Sequence, residues 1–254
     1  MSESESESGE RTSSFMKQTK RCEASLRQLG RILATLLALS GGPIMAAPPA
    51  PSAQAQVVHV AGIEAPLHWL HAPLDYRRTS DGIVVVAGPK SDRYNWSGGG
   101  HAPSNAPQLV FDSTDSDFVL STTVSHKFES TYDAGGLIVA ADAGHWFKFE
   151  FERDYTGAHR VVSVVTNDYS DDANAMAIDG DTAHLRVSRL GKAFALHVSK
   201  DGRRWFLVRI FRFEHEGPLQ VGLIAQCPEG QQATIRFSDS TYRAERLKDI
   251  WREE

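Results

Sequence analysis

The sequence predicts an all-β protein built as an antiparallel β-sandwich, and three features support this fold class. Ten segments between residues 82 and 238 alternate apolar and polar residues with a period of two, as half-buried strands do. Turn-forming residues interrupt the alternation at intervals too short for the helical crossovers of a parallel sheet. A helical pattern occurs only near the end, at Ala244–Arg252, where we expect a short C-terminal helix.

The ten expected strands are short and follow one another closely along the chain. One connection is especially clear, because Asp201-Gly202 supplies the positive-φ residue that a tight hairpin turn requires. The predicted strands are Gly82–Ala87, Phe118–Ser125, Gly135–Ala141, Trp146–Arg153, Arg160–Thr166, His184–Arg189, Ala193–Ser199, Trp205–Phe211, Leu219–Gln226 and Ala233–Ser238.

Residues 1–55 precede the β pattern and predict export. A Ser/Glu tract comes first and buries too little to order itself. After Met16 follow a basic stretch, the apolar run Ile32–Leu39, and small residues ending at Ala53-Gln54-Ala55, which is the layout of a secretory signal peptide. The run is shorter than the roughly 20 residues that a spanning helix needs. We expect cleavage after Ala55, or else near Ala46-Ala47, with translation starting at Met1 or Met16 and the product periplasmic or secreted.

Residues 56–254 are then expected to form a single domain, with no membrane span after cleavage. Residues 1–55 hold six of the 27 basic and five of the 32 acidic side chains, so the remainder has 21 against 27 and a formal charge of −6. An acidic chain without a dense basic patch argues against nucleic acid as a partner. Cys227 is the cysteine left after cleavage, so no intrachain disulfide is expected, and we interpret it as a buried apolar side chain.

The strand Trp146–Glu152 places two sets of side chains on opposite faces, because successive residues of a strand point in opposite directions. The first set, which predicts the core side, is Phe147, Phe149 and Phe151. The second set is Trp146, Lys148, Glu150 and Glu152. An aromatic ring beside an ammonium and carboxylates suits a sugar-binding groove, where the ring stacks and the charged groups bind hydroxyls. A solvated outer face is the alternative interpretation.

An oxygen-rich segment follows the next expected strand. It is interpreted as a loop that could hold calcium, or whose side chains cap turns, which is the commoner role. Its spacing matches no recognised ligand loop, so no metal ligand is assigned. The polar members are Asn167, Asp168, Ser170, Asp171, Asp172 and Asn174.

Several strings in a fixed order resemble one family over roughly residues 66 to 247. They are Tyr132-Asp-Ala-Gly135, Asp142-Ala-Gly-His-Trp-Phe-Lys148 with Glu152, Val161–Thr166 with Ser170-Asp-Asp-Ala-Asn174, Phe194-Ala-Leu-His197 through Trp205, Val208–Phe211 and Val221–Pro228. Ser91-Asp92-Arg93-Tyr94 also resembles the family's Thr-Asp-x-aromatic element, with Ser in place of Thr.

That family is domain of unknown function 1349, which includes the fungal regulation-of-enolase protein and belongs to the concanavalin A-like lectin/glucanase superfamily. The resemblance implies a jelly-roll β-sandwich and gives no catalytic role to any position. The family positions that it carries onto this chain are candidate ligand-binding residues: Asp92, Asp133, Trp146, Lys148, Glu152, Ser170 and Asp171.

Two functions follow as hypotheses, and the first is a non-catalytic carbohydrate-binding module with a glycan partner and no cofactor. The alternative is a glycoside hydrolase, with two of Glu150, Glu152 and Asp154 as acid and nucleophile or base. Superfamily glucanases carry an E-x-D-x-x-E strand motif, and Glu150-Phe-Glu-Arg-Asp154 departs from it at two positions. The departure favours the binding module.

Overall fold

The computed structural model describes residues 56–251, which form fifteen strands in two antiparallel sheets and no helix. The strands are β1 (Val58–Val60), β2 (Ile63–His71), β3 (Asp75–Thr79), β4 (Gly82–Ala87), β5 (Gln108–Ser113), β6 (Asp117–His126), β7 (Ala134–Ala140), β8 (His145–Arg153), β9 (His159–Asn167), β10 (Tyr169–Ala177), β11 (Thr182–Leu190), β12 (Ala193–Ser199), β13 (Phe206–Arg212), β14 (Leu219–Gln226) and β15 (Ala233–Arg243).

The strands are arranged as the two sheets of a sandwich. One sheet has eight strands in the order β1-β2-β5-β14-β7-β8-β9-β10, and the other has seven in the order β13-β12-β11-β6-β15-β4-β3. Phe147 of β8 contacts Phe194 of β12 across the interior, with ring centroids 4.9 Å apart. The predicted all-β sandwich is therefore confirmed.

The core lies between the sheets and is built by the alternation expected from the sequence. Phe147, Phe149 and Phe151 are fully buried in it, which confirms the predicted inward face of β8. Cys227 is also buried there and is unpaired. Burial raises the pKa of its thiol to about 12, so it behaves as an inert apolar side chain.

All ten expected strands are present, and the Asp201-Gly202 turn is confirmed. Gly202 has a φ of 72°, and Asp201 Oδ1 accepts hydrogen bonds from the backbone N–H groups of Arg203 and Arg204 at 2.9 Å. Five further strands, β1, β2, β3, β5 and β10, were not expected.

The expected helix at Ala244–Arg252 is wrong over its described part, Ala244 to Trp251, which has no helical residue. The segment is too short to form a helix by itself. Contacts with the sheet and with neighbouring side chains hold it in another conformation. Arg246 pairs with Asp117 at 3.3 Å, and a ring nitrogen of His197 lies 3.0 Å from the carbonyl oxygen of Ile250.

The segment that was expected to be a polar loop is mostly strand β10. Asp168, with a φ of 60°, makes a tight turn after β9, and the chain returns antiparallel along it. The sequence did not predict this strand because most of its side chains are polar. They are polar because β10 lies at the edge of its sheet, where few of its side chains are buried. The predicted signal peptide, residues 1–55, lies outside the described residues, and none of the described residues forms a helix able to cross a membrane.

Candidate functional site

A segment between β4 and β5, residues 88–107, lies over the outer face of the eight-stranded sheet, and we name it the covering segment. Near its start, the backbone N–H of Cys227 donates to the carbonyl of Ser91 at 3.1 Å. Further along, the backbone N–H of Ser170 donates to the carbonyl of Asn95 at 2.8 Å. The Oγ of Ser170 in turn accepts from the N–H of Asn95 at 2.9 Å. These bonds hold the first half of the segment against the end of β14 and against β10.

Trp146 is buried beneath the covering segment, with an exposed fraction of 0%. It packs in a second apolar cluster with Val110, Ile138 and Val164, and the Arg93 guanidinium lies 4.8 Å from the centroid of its ring. The expectation of an exposed ring that could stack on a sugar is therefore wrong. The alternation placed Trp146 on the correct face of β8, but that face is covered and not solvated.

Lys148 lies on the same face, one alternation further along β8, with an exposed fraction of 2%. Its Nζ is 2.9 Å from Glu150 Oε2, 2.6 Å from Gln226 Oε1 and 3.5 Å from Asp92 Oδ1. Burial disfavours its charge, but Glu150 and Asp92 outweigh that effect and raise the pKa of the ammonium. Lys148 therefore stays charged and joins β8, β14 and the covering segment.

Glu150 and Glu152 differ in their surroundings although both are buried, with 1% and 8% exposed. Glu150 pairs with Lys148 below the surface of the site. No hydrogen bond or ion pair from another described residue reaches the Glu152 carboxyl. Burial and then the charge of Glu150 raise its pKa well above the ordinary value. Glu152 is thus a carboxyl that retains its proton to higher pH than usual.

A cavity of about 430 Å³ opens between the covering segment and the outer face of the sheet. Lys148, Glu152 and Gln226 contribute to its lining from the sheet, and Asp92 from the covering segment. Asp172 of β10 and Glu229 after β14 complete its charged lining. We name this cavity, with its lining residues, the outer pocket.

Three aromatic side chains also line the outer pocket: Tyr94, Trp96 and Tyr132. Trp96 is 52% exposed. The backbone N–H of Trp96 donates to the backbone carbonyl of His101 at 2.8 Å, so the covering segment folds back on itself beside the ring. A Cβ on Gly98 would lie 1.8 Å from Trp96 Nε1, so glycine is required there for the indole to keep this position.

The candidate ligand-binding residues divide into two groups. Asp92, Lys148 and Glu152 come together in the outer pocket. The other four do not line it: Trp146, Ser170, Asp133 and Asp171.

Each residue of the second group is engaged elsewhere. Trp146 is buried, and Ser170 fixes the covering segment. Asp133 is fully buried and accepts from the N–H of Ser130 at 2.9 Å. Asp171 points away from the pocket and pairs with Arg209 at 3.3 Å.

Asp154, a candidate catalytic acid, has a structural role at the turn after β8. Its Oδ1 accepts from the N–H groups of Thr156 and Ala158, and Arg160 donates to its Oδ2 at 2.6 Å. Burial raises the pKa of the carboxyl, but these partners outweigh burial and hold it at about 2. Asp154 does not line the outer pocket, so of the three candidate acids only Glu152 does.

Among the polar and aromatic lining residues, seven were not candidates from the sequence: Tyr94, Trp96, His101, Tyr132, Asp172, Gln226 and Glu229. Tyr94 and Tyr132 belong to the strings that carry the family resemblance, and Trp96 stands beside three glycines where no strand pattern would bury it. Asp172 was noted in the oxygen-rich segment, as a turn cap or a possible calcium ligand, and in a family string, but not as a ligand-binding residue. Within residues 56–251, no three His, Cys, Asp or Glu side chains are arranged to hold a metal ion.

Comparison with known proteins gives a family and a fold. A sequence model of the family described as "Protein of unknown function (DUF1349)" matches residues 69–245. Regulation of enolase protein 1 of Saccharomyces cerevisiae is 29% identical over 174 residues, which cover 67% of this chain and 86% of that protein.

Comparison with solved structures supports the same fold. The crystal structure of a functionally unknown protein from S. cerevisiae superposes with a TM-score of 0.66 at 27% identity, covering 70% of this chain and 96% of that one. The GH43 BlXynB protein from Bacillus licheniformis superposes with a TM-score of 0.52 at 12% identity, covering 64% of this chain and 33% of that chain. The latter likeness is one of fold alone.

Proposed function

Because the chain belongs to the DUF1349 family of proteins of unknown function, we propose from its own outer pocket that it binds a carbohydrate without cleaving it. The observation that carries the proposal is the combination of a half-exposed Trp96 with a row of carboxyl groups in one pocket. A flat ring stacks on the apolar face of a sugar, and carboxylates accept hydrogen bonds from its hydroxyl groups. A cavity of about 430 Å³ is of the size that small-molecule sites have.

Binding without cleavage is favoured because two of the three candidate acids are engaged elsewhere. Glu150 is paired with Lys148 beneath the pocket, and Asp154 is paired with Arg160 at a turn outside it. Glycoside hydrolysis needs two carboxyl groups on either side of the scissile bond.

One observation supports the alternative of a glycoside hydrolase. Glu152 faces the pocket with a raised pKa, which is the property of a general acid. Asp92 or Asp172 would then be the second carboxyl group. This alternative demands that Glu152→Gln abolish turnover while ligand is still bound.

The binding proposal is tested by a glycan array on the purified chain, with a hydrolysis screen on the same sugars. Trp96→Ala should weaken binding of the recognised glycans at least about fivefold, because it removes the stacking surface. Trp251→Ala is the matched control, since Trp251 is 73% exposed and does not line the pocket. Unchanged affinity of the Trp96 variant for every glycan bound would exclude this pocket.

We also propose that the protein acts outside the cytoplasm, on the strength of the signal-peptide pattern in residues 1–55. A regulatory protein-interaction role, of the kind the name of the yeast relative implies, matches that pattern poorly. Protein isolated from its native host should begin near Gln56 when its intact mass is measured. Recovery of the uncleaved chain from the cytoplasm would contradict export.

A further inference from the structure

The ammonium and amide donors at the floor of the outer pocket are engaged within the protein, and the remaining donor side chains in its lining are Tyr94, Trp96, His101 and Tyr132. The Nζ of Lys148 lies 2.6 Å from Gln226 Oε1, 2.9 Å from Glu150 Oε2 and 3.5 Å from Asp92 Oδ1. The side-chain amide of Gln226 donates to the carbonyl of Tyr132 at 3.2 Å. The ammonium of Lys148 and one N–H of Gln226 are therefore already engaged within the protein.

Acceptors are in excess in the same pocket. Asp92, Glu152, Asp172 and Glu229 line it against the one ammonium of Lys148, whose charge Glu150 balances from below. Glu152 is the independent sign of a ligand group, because its carboxyl faces the cavity, is more than nine-tenths buried, and has no partner among residues 56–251. Its oxygen atoms are not fully enclosed, so a ligand group in the cavity can reach them.

We propose that the outer pocket selects sugars that carry a protonated amine, with the ammonium group placed against Glu152. This inference rests on the proposed carbohydrate binding and narrows it to one class of sugar. An ammonium group offers three donors and a positive charge, whereas a hydroxyl group offers one donor and none. Charge-assisted hydrogen bonds are roughly twice as strong as neutral ones.

The same argument disfavours acidic sugars. A carboxylate or sulfate on the ligand would face Glu229 and Asp172 at the rim and Asp92 in the wall. The ammonium group in the lining, Lys148, is already surrounded by oxygen atoms at 2.6 to 3.5 Å. Like charges placed together disfavour a ligand, which is one of the two ways in which a site becomes specific.

The test uses three tetrasaccharides with the same β-1,4 backbone: the glucosamine tetramer, its N-acetylated form and cellotetraose. Affinities are measured by titration calorimetry on the purified chain, at a pH where the sugar amine is protonated. The glucosamine tetramer should bind about tenfold tighter than cellotetraose, or more, because one charge-assisted hydrogen bond replaces a neutral one. The N-acetylated tetramer, which has lost the charge, should show no such advantage.

Burial favours the protonated form of Glu152, but an ammonium group placed against it favours the ionised carboxylate. Glu152→Gln keeps the shape of the side chain and removes the group that can ionise. It should abolish the preference for the amine, so that the glucosamine tetramer and cellotetraose bind this variant with affinities within about twofold of each other. Glu214→Gln is the matched control, because Glu214 is half exposed, pairs with Arg212 and Lys192, and does not line the pocket.

Three results would contradict three separate claims: the preference for an amine, the role of Glu152, and carbohydrate binding itself. Equal affinity of the wild-type chain for the amine and hydroxyl tetramers overturns the inference and leaves carbohydrate binding standing. A preference for the amine that persists in Glu152→Gln overturns the role of Glu152. Absence of binding to all three sugars and to the glycan array overturns the proposed function and this inference with it.

Discussion

Trp146→Ala should lower the free energy of unfolding by about 3–5 kcal/mol, the range expected for emptying a buried aromatic site. The indole is fully buried, its Nε1 donates to the carbonyl of Ala143 at 3.2 Å, and Arg93 lies over the ring. Removal therefore leaves a cavity between the sheet and the covering segment. Urea denaturation with linear extrapolation measures the change.

Two further variants provide reference values for this loss of stability. Phe149→Ala, on the opposite face of the same strand, should cost about the same 3–5 kcal/mol, because Phe149 is fully buried in the core. Trp96→Ala should change stability by less than about 0.5 kcal/mol, because that ring is half exposed. A Trp146 variant as stable as the wild-type chain would mean that the covering segment does not pack on this face in solution.

Lys148→Met should destabilise the protein by about 3–5 kcal/mol at neutral pH, because it leaves the buried Glu150 carboxylate without its partner. The loss should shrink as the pH falls, since the pKa of Glu150 is raised by burial and a protonated carboxyl is less unfavourable to bury. Unfolding midpoints measured at neutral and mildly acidic pH test both statements.

A double variant separates the charge from the packing. Lys148→Met combined with Glu150→Gln should recover part of the lost stability, because neither partner then carries a charge. Lys192→Met is the control, since Lys192 is half exposed and pairs at the surface with Glu214, where ion pairs contribute little. A double variant that loses the sum of the two single losses would show that the pair is not coupled.

The sandwich was predictable because its inward faces follow a strict alternation. β4, β12 and β14 were located with their observed ends, and the three phenylalanines of β8 lie in the core as expected. Alternation reports which face a residue takes, and it did so correctly for Trp146 and Lys148. It carries no information on what covers that face.

The outer pocket was only partly predictable because one of its walls is an irregular segment. Residues 88–107 have no strand or helix period, so nothing local places them across the sheet. The contacts that place them, Ser91 to Cys227 and Asn95 to Ser170, join residues far apart in the chain. The sequence consequently identified Asp92, Lys148 and Glu152 while assigning the exposed ring to Trp146 in place of Trp96.

Three strands were missed or misplaced because their sequences do not show the alternation of a half-buried strand. β10 was not predicted because its side chains are mostly polar and exposed. The predicted end of β15 was too early, because the strand continues past Ser238 through an irregularity at which Asp239 has a φ of 51°. β5 reads Gln-Leu-Val-Phe-Asp-Ser and is buried on both faces, so it shows a short apolar run and no alternation.

The outermost strands of the two sheets bear on how the protein avoids aggregation. The end strands of a sheet expose unpaired backbone groups that can pair with the same strand of another molecule. Here β1 has only three residues, and the other three end strands carry charges along their length. These charges are Asp75, Arg77 and Arg78 on β3, Asp171 and Asp172 on β10, and Arg209 and Arg212 on β13. Pairing two copies edge to edge would strip these side chains of water, which disfavours the growth of the sheets from one molecule to the next.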